Sequence, residues 1–274
     1  MIKRHRNRND YYYAGENLWI RDFTKKHVNS ADINNLITLS DMQRMLCNET
    51  ENAKKMVQRI DTEEFDHPAV VIVNTGHLFK EKQCLLDGLG ENVIVMGVND
   101  VLNGWTSRKR INYYVVNNPY ENCVNYLPRQ QNLWVRCVAS KRTNHEFLER
   151  YKGLLYQYTP VRDGFYSGLN EPSDYQVDDY RNPICAALGL SYRFKVRKVL
   201  LFCCDEGYTT ERPGTVATGG GLWSYPQQAL AQKLIDGNLY WLAKSGVQVG
   251  HYPDVAIYAN SKPVPEEGIA AFFN

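Results

Sequence analysis

The sequence predicts an α/β protein in which a mostly parallel sheet carries helices on both faces and follows an N-terminal helical extension. Three observations predict it. First, three apolar, β-branched runs follow one another: Ala69-Val70-Val71-Ile72-Val73, Val93-Ile94-Val95-Met96-Gly97-Val98 and Ile111-Asn112-Tyr113-Tyr114-Val115-Val116. Polar stretches, the first of them helix-like, separate the runs, as parallel strands with crossover connections require. Second, each run stops at a polar group containing Asn, at Asn74-Thr75-Gly76-His77, Asn99-Asp100 and Asn117-Asn118. In an open α/β sheet the carboxyl ends of the strands form the ligand edge. Third, a later run, Val199-Leu200-Leu201-Phe202-Cys203-Cys204, is apolar throughout, as in a strand buried on both faces.

In chain order, residues 1–66 form the expected helical extension. Leu18-Trp19-Ile20, Phe23 and His27 recur at helical spacing, and no Gly or Pro interrupts from Glu16 to His67. Ser30 and Ser40-Asp41 offer capped restarts, the second ahead of Met42, Met45 and Leu46. Helical period continues from Lys54 to Ile60. His67-Pro68 marks entry to the main domain, 67–274, because Pro cannot continue a helix. A short helix is expected over 78–89, ended by Gly88 and Gly90. A fourth strand is expected over 133–138, a helix over 144–151 and a short strand over 156–158. Residues 159–180 hold Pro160, Gly164, Gly168 and Pro172, and Asp174, Asp178 and Asp179 add acid, which suits a lid or binding loop. A small-residue helix is expected over 183–191. A second loop spans 207–226 around Gly219-Gly220-Gly221, then a helix runs to Lys244 with Leu230, Leu234, Leu239 and Leu242 on one stripe. Short strands are expected over 247–249 and 255–258.

Composition bounds the function. Apolar content of 43% and charge of 23% are those of an ordinary globular protein. A net charge of +2 is too mild to argue for nucleic acid. Lys3, Arg4, Arg6 and Arg8 make the start basic, but no apolar segment follows, so no signal peptide is expected. No stretch is long enough to span a membrane, and a reducing cytoplasm is the expected location. The seven Cys are odd in number and form no CxxC pair, which argues against a disulfide framework or structural zinc. Nineteen Tyr suit base or sugar stacking and also cores and interfaces, so a homo-oligomer is left open.

The candidate site residues lie at the strand ends. Asn74-Thr75-Gly76-His77 joins a strand to a helix, where a Gly turn directs backbone N–H groups toward an anion. It is neither GxGxxG nor a Walker A loop. Asn99 and Asn118 carry amides that both donate and accept, as ribose and base edges require. Asp205 ends the most apolar strand, where a carboxylate binds a hydroxyl, binds a metal or caps the next turn. Glu206 would point to the opposite face, so the pair is no ready metal site. His77, His145 and His251 are candidate bases, with only His77 on the expected ligand edge. Tyr225 follows the Gly-rich loop.

Val70-Val71-Ile72-Val73-Asn74-Thr75-Gly76-His77-Leu78-Phe79-Lys80 resembles the strand and Gly-x-Gly-Pro-Ser-Leu-Lys opening of two related families. These are the 6-hydroxymethylpterin pyrophosphokinase-like (MptE-like) domain, also found in motility accessory factors, and glycosyltransferase family 42, the bacterial sialyltransferases. Gly97-Val98-Asn99-Asp100 resembles their second strand ending, and Asn118-Pro119 resembles the Asn-Pro of the sialyltransferases. Val199 to Tyr208 resembles Ile-x-Leu-x-Gly-x-Asp-Phe, with Asp205 on the Asp. Val255 to Ser261 resembles the MptE-like ending.

The resemblance implies a Rossmann-like fold with a nucleotide-linked donor at the strand edge. It assigns the nucleotide to Thr75, Gly76, Asn99 and Asn118, with Arg181 and Asn182 in the place of a Thr-Ser-Gly. Gly76-His77-Leu78-Phe79 replaces Gly-Pro-Ser-Leu and loses a hydroxyl. The sialyltransferase base is a His, and the nearest residue here is Tyr225. Three functions follow as expectations. The first is a metal-independent sugar transferase using a nucleotide-sugar donor, with Tyr225, His77 and Asp205 as catalytic candidates and a glycan, protein or small molecule as acceptor. The second is diphosphate transfer from ATP with Mg²⁺ to a hydroxymethyl acceptor. The third is a non-catalytic binding protein that keeps the fold.

Overall fold

The computed structural model describes residues 39–55, 58–59, 69–76, 78–128, 134–160, 176–177, 179, 182–205, 215–218, 221–253 and 258–274. Ten strands form one sheet, in the order β1-β6-β5-β4-β3-β2-β8-β11-β12 with β7 beside β6. They are β1 (Gln58–Arg59), β2 (Ala69–Val73), β3 (Val93–Val98), β4 (Tyr113–Val116), β5 (Arg136–Ser140), β6 (Leu155–Pro160), β7 (Gln176–Val177), β8 (Lys198–Phe202), β11 (Gln248–Tyr252) and β12 (Lys262–Pro263). Every pairing in the sheet is parallel. The fold is α/β and Rossmann-like, as the sequence predicts.

β2 is the pivot. Ala69 pairs with Val93 of β3 on one side and with Lys198 of β8 on the other. From β2 the chain lays down β3 to β6 outward in one direction. It then returns to place β8 and β11 on β2's other side. The order of strands therefore reverses between β2 and β8, which is where a crevice opens at the carboxyl edge of such a sheet. All five residues of β2 are buried, and so are all six of β3, because layers cover both faces.

One layer packs α5 (Pro183–Arg193) and α6 (Tyr225–Lys244) on Val70, Ile72, Met96, Val115 and Leu201. Leu234, Leu239 and Leu242 of the expected α6 stripe are buried there, alongside Ile235. The other layer covers Val71, Val73, Val95, Tyr114 and Phe202. It contains α2 (Phe79–Lys82) with a 3₁₀ turn over Gln83–Gly88, α3 (Val101–Gly104), α4 (His145–Arg150) and the C-terminal α7 (Ile269–Phe273).

α1 (Leu39–Ala53) reaches the sheet by polar contacts. Asn48 donates to the carbonyls of Pro119 (2.9 Å) and Arg142 (3.3 Å), and Asn52 to those of Lys141 (2.9 Å) and Thr143 (2.8 Å). Tyr120 donates to the Asp41 carboxylate at 2.9 Å. These partners all lie in the loops after β4 and β5. The helix thus flanks the carboxyl edge.

Several expectations are corrected by pairing that lies far apart in sequence. The helix expected through Ile60 ends at Ala53, and Gln58–Arg59 instead joins the free edge of β6 as β1. Sheet pairing overrides local helical period there. The strand expected over 133–138 occupies Arg136–Ser140, and the short strand at 156–158 is the six-residue β6. Within the second loop, β9 (Thr215–Thr218) and β10 (Gly221–Ser224) form a separate antiparallel ribbon. The last strands fall at 248–252 and 262–263, and 254–257 lies outside the described residues. The helices expected before residue 39 also lie outside them.

Candidate functional site

The carboxyl ends of β2 and β8 are joined by backbone pairing. The Asn74 amide donates to Phe202 O at 3.1 Å and the Gly76 amide to Cys203 O at 3.0 Å. The turn expected to offer N–H groups to an anion therefore spends both of these on the end of β8. Gly76 is held so closely that a Cβ would sit 2.1 Å from Asp205 Oδ1 and 2.3 Å from Cys203 O. A glycine is required by close approach, and the residue it admits is a carboxylate. Asp205 is only 1% exposed. Two residues distant in sequence thus meet at the point where the strand order reverses.

Thr75 is half-buried, and its hydroxyl donates to Asp100 Oδ1 at 2.6 Å. Asn99 donates through Nδ2 to Asn74 Oδ1 at 3.1 Å, and its carbonyl accepts from the buried Tyr114 hydroxyl. Asn74 itself is buried. The ends of β2, β3 and β8 are thereby tied into one polar rim.

Backbone geometry marks the same rim. Asn99 (φ 57°) and Cys203 (φ 53°), directly after β3 and β8, and Leu78 (φ 64°), at the start of α2, lie in the left-handed region. Asn adopts this conformation readily, whereas a bulky Leu rarely does. Left-handed residues that are not glycine persist where surrounding structure enforces them, and such sites cluster at ligand clamps. Burial, and then the Asp205 charge, push the Cys203 thiol well above its ordinary range. Cys203 is thus a neutral thiol beside the carboxylate, not a nucleophilic thiolate.

The remaining predicted residues are placed differently. Asn118 is engaged locally: Nδ2 lies 3.3 Å from Asn122 Oδ1 and 3.0 Å from the Tyr126 hydroxyl, and Oδ1 accepts from the Tyr120 amide at 2.8 Å. Asn182 caps α5, its Oδ1 accepting from the Ile184 (2.8 Å) and Cys185 (3.2 Å) amides ahead of Pro at the first turn. Tyr225 opens α6. His77, Arg181, the Tyr225 side chain and most of both long loops lie outside the described residues. His251, expected away from the ligand edge, sits near the carboxyl end of β11, where Nδ1 meets Ser261 Oγ at 2.6 Å. It is 3% exposed and packs edge-on to Tyr258. His145 Nδ1 lies 3.0 Å from Asn48 Oδ1 in the α1 contact.

Sequence reasoning missed Asp100, Cys203 as a left-handed strand end, and a buried cluster beneath α5. In that cluster the Tyr158 hydroxyl donates to Asp179 Oδ2 at 2.9 Å, and the Asn182 amide to Asp179 O at 2.7 Å. Burial and the Asp179 charge raise the Tyr158 pKa far above its ordinary value. Asp100 had a usable signal, since it ends the same run as Asn99. Among the described residues, no group of three or more His, Cys, Asp or Glu could hold a metal ion. Nor is any helix among them long and apolar enough to cross a membrane. A cavity of about 350 Å³ lies beside the amino ends of β4 and β5, lined by Trp105, Lys109, Ile111, Val135 and Tyr151 among others, and includes none of the rim residues.

An all-parallel sheet whose order reverses beside a Gly–Asp contact defines a Rossmann-like protein, in which that carboxyl edge is the expected place for a ligand. No family model and no curated protein matches the chain. Among solved structures, it is similar in fold to the Maf glycosyltransferase of Magnetospirillum magneticum AMB-1, with a TM-score of 0.62 at 13% identity. The match covers 94% of this chain and 42% of that one, so the chain spans less than half the neighbour's length. At that identity the likeness is one of fold alone.

Proposed function

We propose that the chain is a glycosyltransferase whose nucleotide-activated sugar donor sits at the carboxyl edge of β8, β2 and β3. The carrying observation is the contact of Gly76 with Asp205 at the strand reversal. The Maf-like fold supports it. So does the resemblance to the MptE-like and sialyltransferase openings. In this reading Asn74 and Gly76 build the crevice, while Thr75, Asn99 and Asp205 face the donor. Transfer builds positive charge on the sugar and negative charge on the departing phosphate. Asp205 suits the first or a sugar hydroxyl, Arg181 suits the second, and His77 or Tyr225 supplies the proton step at the acceptor. The reaction as proposed is sialyltransferase-like and needs no metal.

A second reading has one observation of its own. Asp100 and Asp205 both contact the turn after β2, through Thr75 and Gly76. Carboxylates so placed suit Mg²⁺, which needs few protein ligands, and therefore diphosphate transfer from ATP. Calorimetric titration separates the two. Cytidine monophosphate or uridine diphosphate binding without metal supports the transferase. Binding of ATP alone, dependent on Mg²⁺ and lost in Asp205→Asn, supports the kinase. Binding of none at millimolar concentration overturns both.

A further inference from the structure

The cavity beside the amino ends of β4 and β5 lies on the opposite edge of the sheet from the rim, and the donor reading makes no use of it. The four residues of β4 put roughly 13 Å between the two edges. Its volume of about 350 Å³ is within the range of small-molecule pockets. The lining is of two kinds. Ile111, Val135 and the rings of Trp105 and Tyr151 supply apolar surface, and the run Arg108-Lys109-Arg110 supplies positive charge. No carboxylate is among the described residues that line it.

The loop that carries the cations is held in place by its own side chains. Gln83 donates through Nε2 to Gly104 O at 3.0 Å, and its Oε1 accepts from the Thr106 and Ser107 amides at 2.6 and 3.3 Å. Asp87 Oδ1 accepts from the Ser107 hydroxyl at 2.5 Å and from the Arg108 amide at 2.7 Å. Lys109 donates through Nζ to Gly90 O at 2.7 Å, and Trp105 through Nε1 to Lys109 O at 3.0 Å. With its N–H spent, Trp105 has only its ring to offer a ligand. Arg110 uses Nη2 on Trp134 O at 2.7 Å, which leaves most of its five donors. Arg108 is exposed, and its guanidinium has no hydrogen-bond partner among the described residues.

We infer that this cavity binds a small anion with an aromatic body, the body lying among Trp105, Ile111, Val135 and Tyr151 and the anionic group meeting Arg108 and Arg110. Each half of the lining selects one half of the ligand. Guanidinium forks take a carboxylate or phosphate-like group by charge-assisted hydrogen bonds and repel a cation. Aromatic and branched apolar side chains take a flat apolar group. An inorganic anion leaves the apolar surface unused, and a neutral ring leaves the charges unused. The site is independent of the donor reading and does not need it to be correct.

The test titrates the full chain with anilinonaphthalene sulfonate, a fluorescent aromatic anion, and with phenylnaphthylamine, the same ring body without the sulfonate. The sulfonate is expected to bind at one equivalent, with its emission moved to shorter wavelength, and the neutral probe about tenfold more weakly. Arg108→Gln should weaken the sulfonate by about tenfold, and Arg108→Glu should abolish its binding. Both variants should melt with the wild type, because the side chain is exposed. Excess cytidine monophosphate should leave the probe in place. The inference is overturned by any of four results: no sulfonate binding at millimolar concentration, equal binding of the two probes, unchanged affinity in Arg108→Glu, or displacement by cytidine monophosphate. The first three leave the nucleotide reading as it stands.

Discussion

Gly76 is the residue on which the crevice turns. Its missing side chain is the space that Asp205 fills, and Asp205 is too buried to swing clear. Gly76→Ala should therefore destabilise the protein by about 1–3 kcal/mol, the usual cost of overpacking, and abolish ligand binding at this edge. Urea denaturation and titration check the two effects. The cost should shrink in a Asp205→Ala background without vanishing, because Cys203 O also lies within 2.3 Å of the added carbon. At this scale the strand ends were legible. Apolar runs that stop at Asn or Asp announce where the chain leaves the core, and Asn74, Thr75, Gly76, Asn99 and Asp205 do converge on one rim. What the sequence could not reveal is which of two adjacent amides turns inward. Asn117 and Asn118 look alike in composition, yet one is buried without a partner and the other closes its own turn. That choice depends on the path of the chain after Val116, which local sequence does not specify.

Among the elements, α1 departs most from its apparent pattern. Apolar spacing points to Met45 and Leu46 as the packed side, yet Leu46 is 47% exposed. The buried face carries Asp41, Met45, Asn48, Glu49 and Asn52. This face follows helical period as well as an apolar stripe would, but its partners are polar: loop carbonyls for Asn48 and Asn52, the Tyr120 hydroxyl for Asp41 and the Arg142 guanidinium for Glu49. Hydropathy alone cannot find such a face, because each polar residue is favourable only with its particular acceptor in place. Asn52→Ala leaves the carbonyls of Lys141 and Thr143 without that donor, and should cost about 1–3 kcal/mol. Hydrogen exchange should quicken first in α1 and in the loop after β5. Equal slowing or quickening across the whole sheet would contradict a local docking role. The edge strand β1 was hidden for a similar reason, since its two residues take their structure from β6.

At the scale of the whole molecule, the parallel sheet was legible because strands buried on both faces must be apolar almost throughout. The reversal of strand order was not, because periodicity describes neighbours in sequence and β2 finds β8 across the intervening domain. That pairing bears on how the protein comes into being. As the chain is synthesised, β2 to β6 can assemble in order, but β2 keeps one side open until Lys198–Phe202 arrives. An open edge of Val70, Val71, Ile72 and Val73 is a surface on which nascent chains pair with one another. A chain stopped at Phe194 should therefore sediment as aggregate while the full chain stays in the supernatant. The Gly76 half of the crevice likewise has no Asp205 to close on before then. Ligand cannot assist early folding, and the capacity to bind arrives late in synthesis, with the strand that seals β2.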